Sequence, residues 1–146
     1  MITLPIFYKE MESTPNPLPG SEAELEIMLV DNDPITCLLN RIQLESFFSR
    51  PVRIFYNAVF ALEYIWKQLQ DDRPLLVLME IFIPEEEGWE FLDLCQTRPM
   101  NGLRIVIVTH SVSSKVRQKA LTYPQVVDFY EKPLMKEDLY KLSSLI

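Results

Sequence analysis

The chain has 146 residues, 48% of them apolar, and a formal net charge of −7, which is one domain's worth of sequence with enough apolar material for a packed core. The acidity sets aside nucleic acid and anionic membrane as main partners, since both call for clustered Lys and Arg. No apolar run approaches the roughly 18 residues of a membrane span, and the N-terminus lacks the basic-then-apolar order of a secretion signal, so a cytoplasmic protein is expected.

Residues 1–24 hold Pro5, Pro15, Pro17, Pro19 and Gly20 and end in SEAE. They read as an extended or mobile arm, and residues 25–146 as the domain. Within the arm, LPIFY at 4–8 is apolar enough to dock somewhere. From residue 25 the pattern alternates. LEIMLV (25–30) is a buried strand ending in Asp31-Asn32-Asp33. Pro34 suits the first turn of a helix, where its missing N–H costs nothing, and Ile35, Leu38, Leu39 and Ile42 give that helix an apolar face through about Phe48. VRIFY (52–56) is a second strand. A helix from Ala58 to Leu69 carries Ala58, Leu62, Ile65 and Leu69 on one side. Pro74 opens the third strand, LLVLME, and Gly88 to about Thr97 is a helix carrying Phe91, Leu92 and Cys95. LRIVIVT (103–109) is the fourth strand, and Ser113–Leu121 a polar helix with Val116 and Ala120 facing in. VVDFY (126–130) is the fifth strand, and 136–146 a last helix with Leu139, Leu142 and Ile146 on one face. Cys37 and Cys95 fall in helical patterns beside apolar neighbours and read as two buried thiols.

Five nearly continuous apolar strands alternating with five amphipathic helices predict a doubly wound α/β fold with a parallel sheet covered on both faces. In such sheets ligands gather at the carboxyl ends of the strands. With strand order 2-1-3-4-5, the tips of strands 1, 3, 4 and 5 bring Asp31, Asn32, Asp33, Glu80, Thr109 and Lys132 to one cleft. Crowded carboxylate and amide oxygens suit a hard cation such as Mg²⁺. A hydroxyl and an ammonium opposite them suit a phosphoryl group. Together they describe a phosphoryl-transfer site with the central acid as nucleophile. With glycine only at positions 20, 88 and 102, there is no phosphate loop of the kind nucleotide enzymes use.

Four pieces, LVDNDPI (29–35), LVLMEIFIPEEEGWEF (76–91), IVIVTHS (105–111) and FYEKPL (129–134), resemble the receiver domain of two-component response regulators in order and spacing. The resemblance covers residues 25–146 and is closest to bacterial single-domain receivers, with no output domain after Ile146. It implies a flavodoxin-like fold and a signalling module rather than an enzyme. In the family the acid after the third strand accepts a phosphoryl group from a sensor histidine kinase or phosphotransfer protein. By position, Glu80 falls at the acceptor, Asp31 and Asn32 at the acidic pair that holds Mg²⁺, and Phe82 at the backbone-carbonyl metal ligand. Thr109 and Lys132 fall at the phosphate-sensing hydroxyl and ammonium, and Phe129 at the switch aromatic. The peptide after the family lysine is often cis. The family's usual contact face, its fourth helix, fifth strand and fifth helix, would here include Lys115, Val116, Lys119, Tyr123, Phe129, Tyr140 and Lys141. An unknown downstream protein, or a second copy in a homodimer, would meet it there.

Two departures stand out. The family acceptor is Asp, and Glu80 is longer by one methylene, about 1.3–1.5 Å, where a misplacement of about 1 Å can cost on the order of 10²-fold. It also carries its charge toward Thr109 and Lys132, a partial imitation of a phosphorylated acid. Asn32 is neutral where an acid is usual, which weakens Mg²⁺. Both point to impaired phosphotransfer. The alternatives are an ordinary receiver that tolerates Glu80, a degenerate receiver kept as a scaffold, and a phosphatase using the Asp-x-Asp of Asp31 and Asp33. Asp31 and Asp33 also suit plain helix capping, and Glu85-Glu86-Glu87 a solvated loop at a helix N-terminus. His110, the single histidine, either restricts access to the cleft or is a surface residue.

Overall fold

The computed structural model describes residues 25–84, 86–111 and 113–146. The expected arm at 1–24 and Glu85 of the acidic run lie outside the described residues. Five strands, β1 (Glu26–Val30), β2 (Val52–Phe55), β3 (Leu75–Met79), β4 (Leu103–Thr109) and β5 (Val126–Glu131), alternate with five helices. These are α1 (Pro34–Phe48), α2 (Ala58–Gln70), α3 (Glu87–Leu94), α4 (Ser114–Ala120) and α5 (Lys136–Ser143). The strands are all parallel in the order β2-β1-β3-β4-β5, as expected of a flavodoxin-like sheet.

The strands are apolar almost throughout because helices cover both faces of the sheet. Alternation along each strand divides the core in two. Met28, Val30, Val77, Met79, Ile105 and Ile107 pack with α2, α3 and α4 on one face. Ile27, Leu29, Leu76, Leu78, Val106 and Val108 pack with α1 and α5 on the other. Both thiols are buried, and burial pushes the Cys37 and Cys95 pKa values up to about 12; near neutral pH they are inert core groups.

The caps follow the sequence. Asp33 is the N-cap of α1, its carboxylate accepting from the Ile35 N–H at 3.1 Å and the Thr36 hydroxyl at 2.7 Å, and Pro34 opens the first turn. Asn57 caps α2 in the same way, accepting from Val59 N–H at 2.7 Å. Gly88 allows the start of α3 to lie against the loop after β3. A Cβ there would sit 2.8 Å from Ile81 Cα and closer still to the Ile81 carbonyl.

One expectation is reversed. The apolar face of α1 at Ile35, Leu38, Leu39 and Ile42 points outward, with exposures of 70, 47, 58 and 58%. The helix buries Cys37, Asn40 and Leu44 instead. Apolar residues occur on both sides of α1, so periodicity alone leaves its orientation open; the Asp33 cap and the entry from β1 decide which side meets the sheet. A smaller correction concerns Ile146, which is 41% exposed beyond the end of α5 while Leu139 and Leu142 are buried.

Candidate phosphoryl-acceptor site

At the carboxyl edge of the sheet, β1 delivers Asp31, β3 Glu80, β4 Thr109 and β5, one residue on, Lys132. All four side chains are buried. The Lys132 ammonium lies between the two acids, donating to Asp31 Oδ2 at 2.6 Å and Glu80 Oε1 at 3.1 Å. The remaining oxygens are also engaged. Asp31 Oδ1 accepts from Asp33 N–H at 2.9 Å, and Glu80 Oε2 from Phe82 N–H at 3.3 Å. Two carboxylates and one ammonium leave the triad with a net negative charge inside the fold.

That balance sets the state of the lysine. Burial works to lower its pKa, but the hydrogen bond it donates to Asp31 and the charge of Glu80 outweigh it and hold the value above that of a free lysine. The backbone fixes the approach: Lys132 N–H donates to the Thr109 carbonyl at 2.8 Å, and the Lys132–Pro133 peptide is cis. The Thr109 hydroxyl accepts from Ser111 N–H at 3.4 Å.

The other expected site residues separate. Asn32 is exposed. Asp33 turns to cap α1, and its contacts with Ile35 and Thr36 lower its pKa, so the second acid of an Asp-x-Asp phosphatase is committed to the helix. Phe82 contributes its N–H to Glu80 while its ring is 46% exposed. Phe129 is buried; Arg117 donates to its carbonyl at 3.3 Å and lies 5.7 Å from the ring centroid. The expected contact face is only partly partnered within the fold, with Lys115, Lys119, Tyr140 and Lys141 exposed. Tyr123 donates to Asp93 at 2.6 Å, Lys119 sits 4.1 Å over the Trp89 ring, Val116 is half-buried, and Tyr140 stays 58% exposed.

Receiver domains generally hold Mg²⁺ at this position. The residues here do not suit a tightly held dication, which calls for several free oxygens, mostly carboxylate. Among the described residues no cluster of three His, Cys, Asp or Glu side chains could hold a metal. Asp31 and Glu80 are bridged by an ammonium, and Asn32 is neutral.

Sequence reasoning passed over two neighbours, Asn40 and Gln43. Asn40 is buried on the inward side of α1, and its spacing from Cys37 was the available signal. It lines both a small internal cavity beside Asp31 and Glu80 and an outer groove beside Lys132. Gln43 donates to the Leu134 carbonyl at 3.2 Å, tying α1 to the loop after β5. His110 is exposed and lines the same groove.

A family model, the response regulator receiver domain, matches residues 27–143. The chain belongs to the receiver domain family. A two-component response regulator from Cytophaga hutchinsonii aligns with a TM-score of 0.75 at 20% identity, covering 85% of this chain and 97% of that one. One from Legionella pneumophila gives 0.70 at 18% identity over 84% and 97%. One from Clostridium difficile gives 0.62 at 22% identity over 84% and 94%. These likenesses concern the fold. A comparison with curated proteins finds no match. Receiver domains are signalling modules that generally work with histidine kinases or phosphotransfer proteins. No described helix of this receiver is long and apolar enough to cross a membrane.

Proposed function

We propose that this receiver signals through protein contacts without running the ordinary phosphorylation cycle, with Glu80 standing in part for a phosphorylated acceptor. The observation that carries the reading is the Lys132 ammonium held between Asp31 and Glu80 at 2.6 and 3.1 Å. The extra methylene carries the acceptor carboxylate to the cation that would otherwise neutralise incoming phosphoryl oxygens. Both of its oxygens are engaged, so it is poorly placed for in-line attack. The neutral Asn32 and the ammonium-bridged acids weaken Mg²⁺, and buried Phe129 is consistent with a switch resting in one position. Output would pass through surface contacts, and the exposed aliphatic face of α1 is the surface best suited to one.

The test is intact mass after incubation with acetyl phosphate and Mg²⁺, on this chain and on Glu80→Asp. In the reaction the acetyl C–O–P bond breaks at phosphorus, acetate leaves, and the carboxylate oxygen gains the phosphoryl group. The chain itself is expected to stay unmodified and Glu80→Asp to gain the group. A phosphorylated Glu80 chain would sink the reading. If neither is modified, phosphotransfer is lost for reasons beyond Glu80, and the scaffold alternative takes over.

A further inference from the structure

Leu39 and Ile42, exposed on α1, wall a groove of about 350 Å³ whose other side is Pro133 and Leu134 in the loop after β5. At its inner side lies Asn40, only 8% exposed. Among the buried polar side chains, Asp31, Gln68, Glu80, Thr109 and Lys132 all have hydrogen-bond partners. The Asn40 carboxamide has none among the described residues. A buried amide left in that state is costly and rare. The small cavity behind it, about 10 Å³, has room for at most one water. A carboxamide offers two donors and an oxygen with two lone pairs, so the rest of its hydrogen bonding must be met from the groove.

We infer that the groove takes an extended, uncharged peptide segment of a partner protein, whose main-chain N–H and C=O pair with the Asn40 carboxamide while its aliphatic side chains cover Leu39 and Ile42. The chemistry selects this occupant. In an extended chain the N–H and C=O of one residue point the same way, which matches the adjacent donor and acceptor of a carboxamide. A helical partner has spent those groups within itself. Fixed charge gives no foothold: no carboxylate lines the groove, and its one ammonium, Lys132, is already held by Asp31 and Glu80. The exposed aliphatic surface also continues past the groove to Leu38 and Ile35. From Ile35 to Ile42 it covers about 10 Å of helix, which an extended chain crosses in about three residues; an enclosed small molecule would leave that surface bare. The inference deepens the proposed contact on α1, rests on that reading, and is independent of whether Glu80 blocks phosphotransfer.

The test titrates the isotope-labelled full chain with the blocked peptide acetyl-Thr-Leu-Val-Leu-Thr-amide and follows main-chain and side-chain amides by NMR. Saturable shifts are expected at the Asn40 side-chain NH₂ and at the Leu39, Ile42 and Leu134 amides, with dissociation in the millimolar range or tighter. The same peptide N-methylated at its three central residues keeps the side chains and loses the N–H donors, and should bind at least about tenfold more weakly. Asn40→Leu should weaken the peptide by a similar factor while the urea midpoint stays level or rises, because an apolar group in place of an unmet polar one is neutral or stabilising. Ile42→Asp, at an exposed site, should weaken binding with the fold intact. Absence of saturable shifts at these positions, equal binding of the N-methylated peptide, or unchanged affinity in either variant would overturn the inference. So would a lower urea midpoint for Asn40→Leu, because Asn40 would then serve the fold. No phosphodonor is present, so this result and the acetyl phosphate result fail separately.

Discussion

Lys132→Met keeps the length of the side chain and removes its charge. Asp31 and Glu80 both lie within 3.1 Å of the same nitrogen and are almost fully buried. Without the ammonium they become two desolvated like charges sharing one site. Removing one partner of a buried ion pair costs about 3–5 kcal/mol, a fifth or more of the roughly 5–15 kcal/mol that keeps a domain folded. At roughly 4 °C per kcal/mol, the unfolding midpoint at pH 7 should fall by about 12–20 °C. Glu80→Gln makes the opposite change. It removes the surplus charge, leaves the 2.6 Å contact between Lys132 and Asp31, and keeps one oxygen for the Lys132 ammonium while the Phe82 N–H loses its acceptor, so its cost should be about 1–2 kcal/mol. Thermal or urea unfolding of the two variants reads the contrast directly. The pH dependence has a defined sign. The Lys132 pKa is raised by folding above 10.5, so its contribution is fully present below that value and is lost as pH rises through the folded pKa. The gap between the native chain and Lys132→Met should therefore be constant near neutrality and narrow only in that alkaline range. Equal costs for the two variants, or a Lys132→Met chain within about 1 kcal/mol of native, would refute the view that the lysine offsets two buried acids.

The orientation of α1 separates a second pair of variants. Leu44→Ala should cost about 2–5 kcal/mol by urea unfolding, while Ile42→Asp should stay within about 0.5 kcal/mol; the reverse ranking would put the wrong face of α1 on the sheet. Gly88→Ala drives a Cβ into the Ile81 backbone, so α3 or its preceding loop must shift, and a midpoint within a degree of native would contradict that close approach. Cys37 and Cys95 should resist a thiol-specific reagent at pH 8 and react only at the rate of unfolding, because burial holds both thiols near pKa 12. Millimolar Mg²⁺ should leave the native midpoint unchanged and raise that of Asn32→Asp/Glu80→Asp, since a ligand that binds the folded state stabilises it. A clear rise in the native chain would reinstate the metal site.

The sheet was legible in the sequence because its signals are local. Runs such as LLVLM and LRIVIV can be apolar throughout only if both faces are covered, and their spacing leaves room for one helix between each pair. The cap at Asp33 was equally plain. The meeting of Asp31, Glu80 and Lys132 followed from topology once the strand order was assumed. The direction of α1 was not legible, because Cys37, Asn40 and Leu44 compete on nearly equal terms with Ile35, Leu38, Leu39 and Ile42, and a buried Asn argues against the correct side. The internal partners of Tyr123 and Lys119, on the expected contact face, were not legible either. Whether Tyr123 and Lys119 are free depends on Asp93 and Trp89, residues about thirty positions away in the chain, and no window of sequence reports that.

The orientation of α1 bears on where this receiver meets its surroundings. On the α4, β5 and α5 side, Tyr123 donates to Asp93 and Lys119 lies over Trp89, while Lys115, Lys119, Tyr140 and Lys141 stay exposed. Aliphatic side chains that look buried along α1 face outward, within reach of the groove that leads to Lys132. A contact on α1 therefore touches the helix that Asp33 caps and Asp31 precedes, and the loop that carries Lys132 away from β5. Gln43 already ties those two elements together through the Leu134 carbonyl. An occupant of the α1 face would bear on the acid–lysine triad through that tie, with no phosphoryl group required. The physical test of the link is whether Ile42→Asp, which leaves the triad untouched, moves the amide resonances of Lys132 and Glu80 in the full chain. Resonances that stay fixed would mean that the surface and the site are neighbours without being coupled.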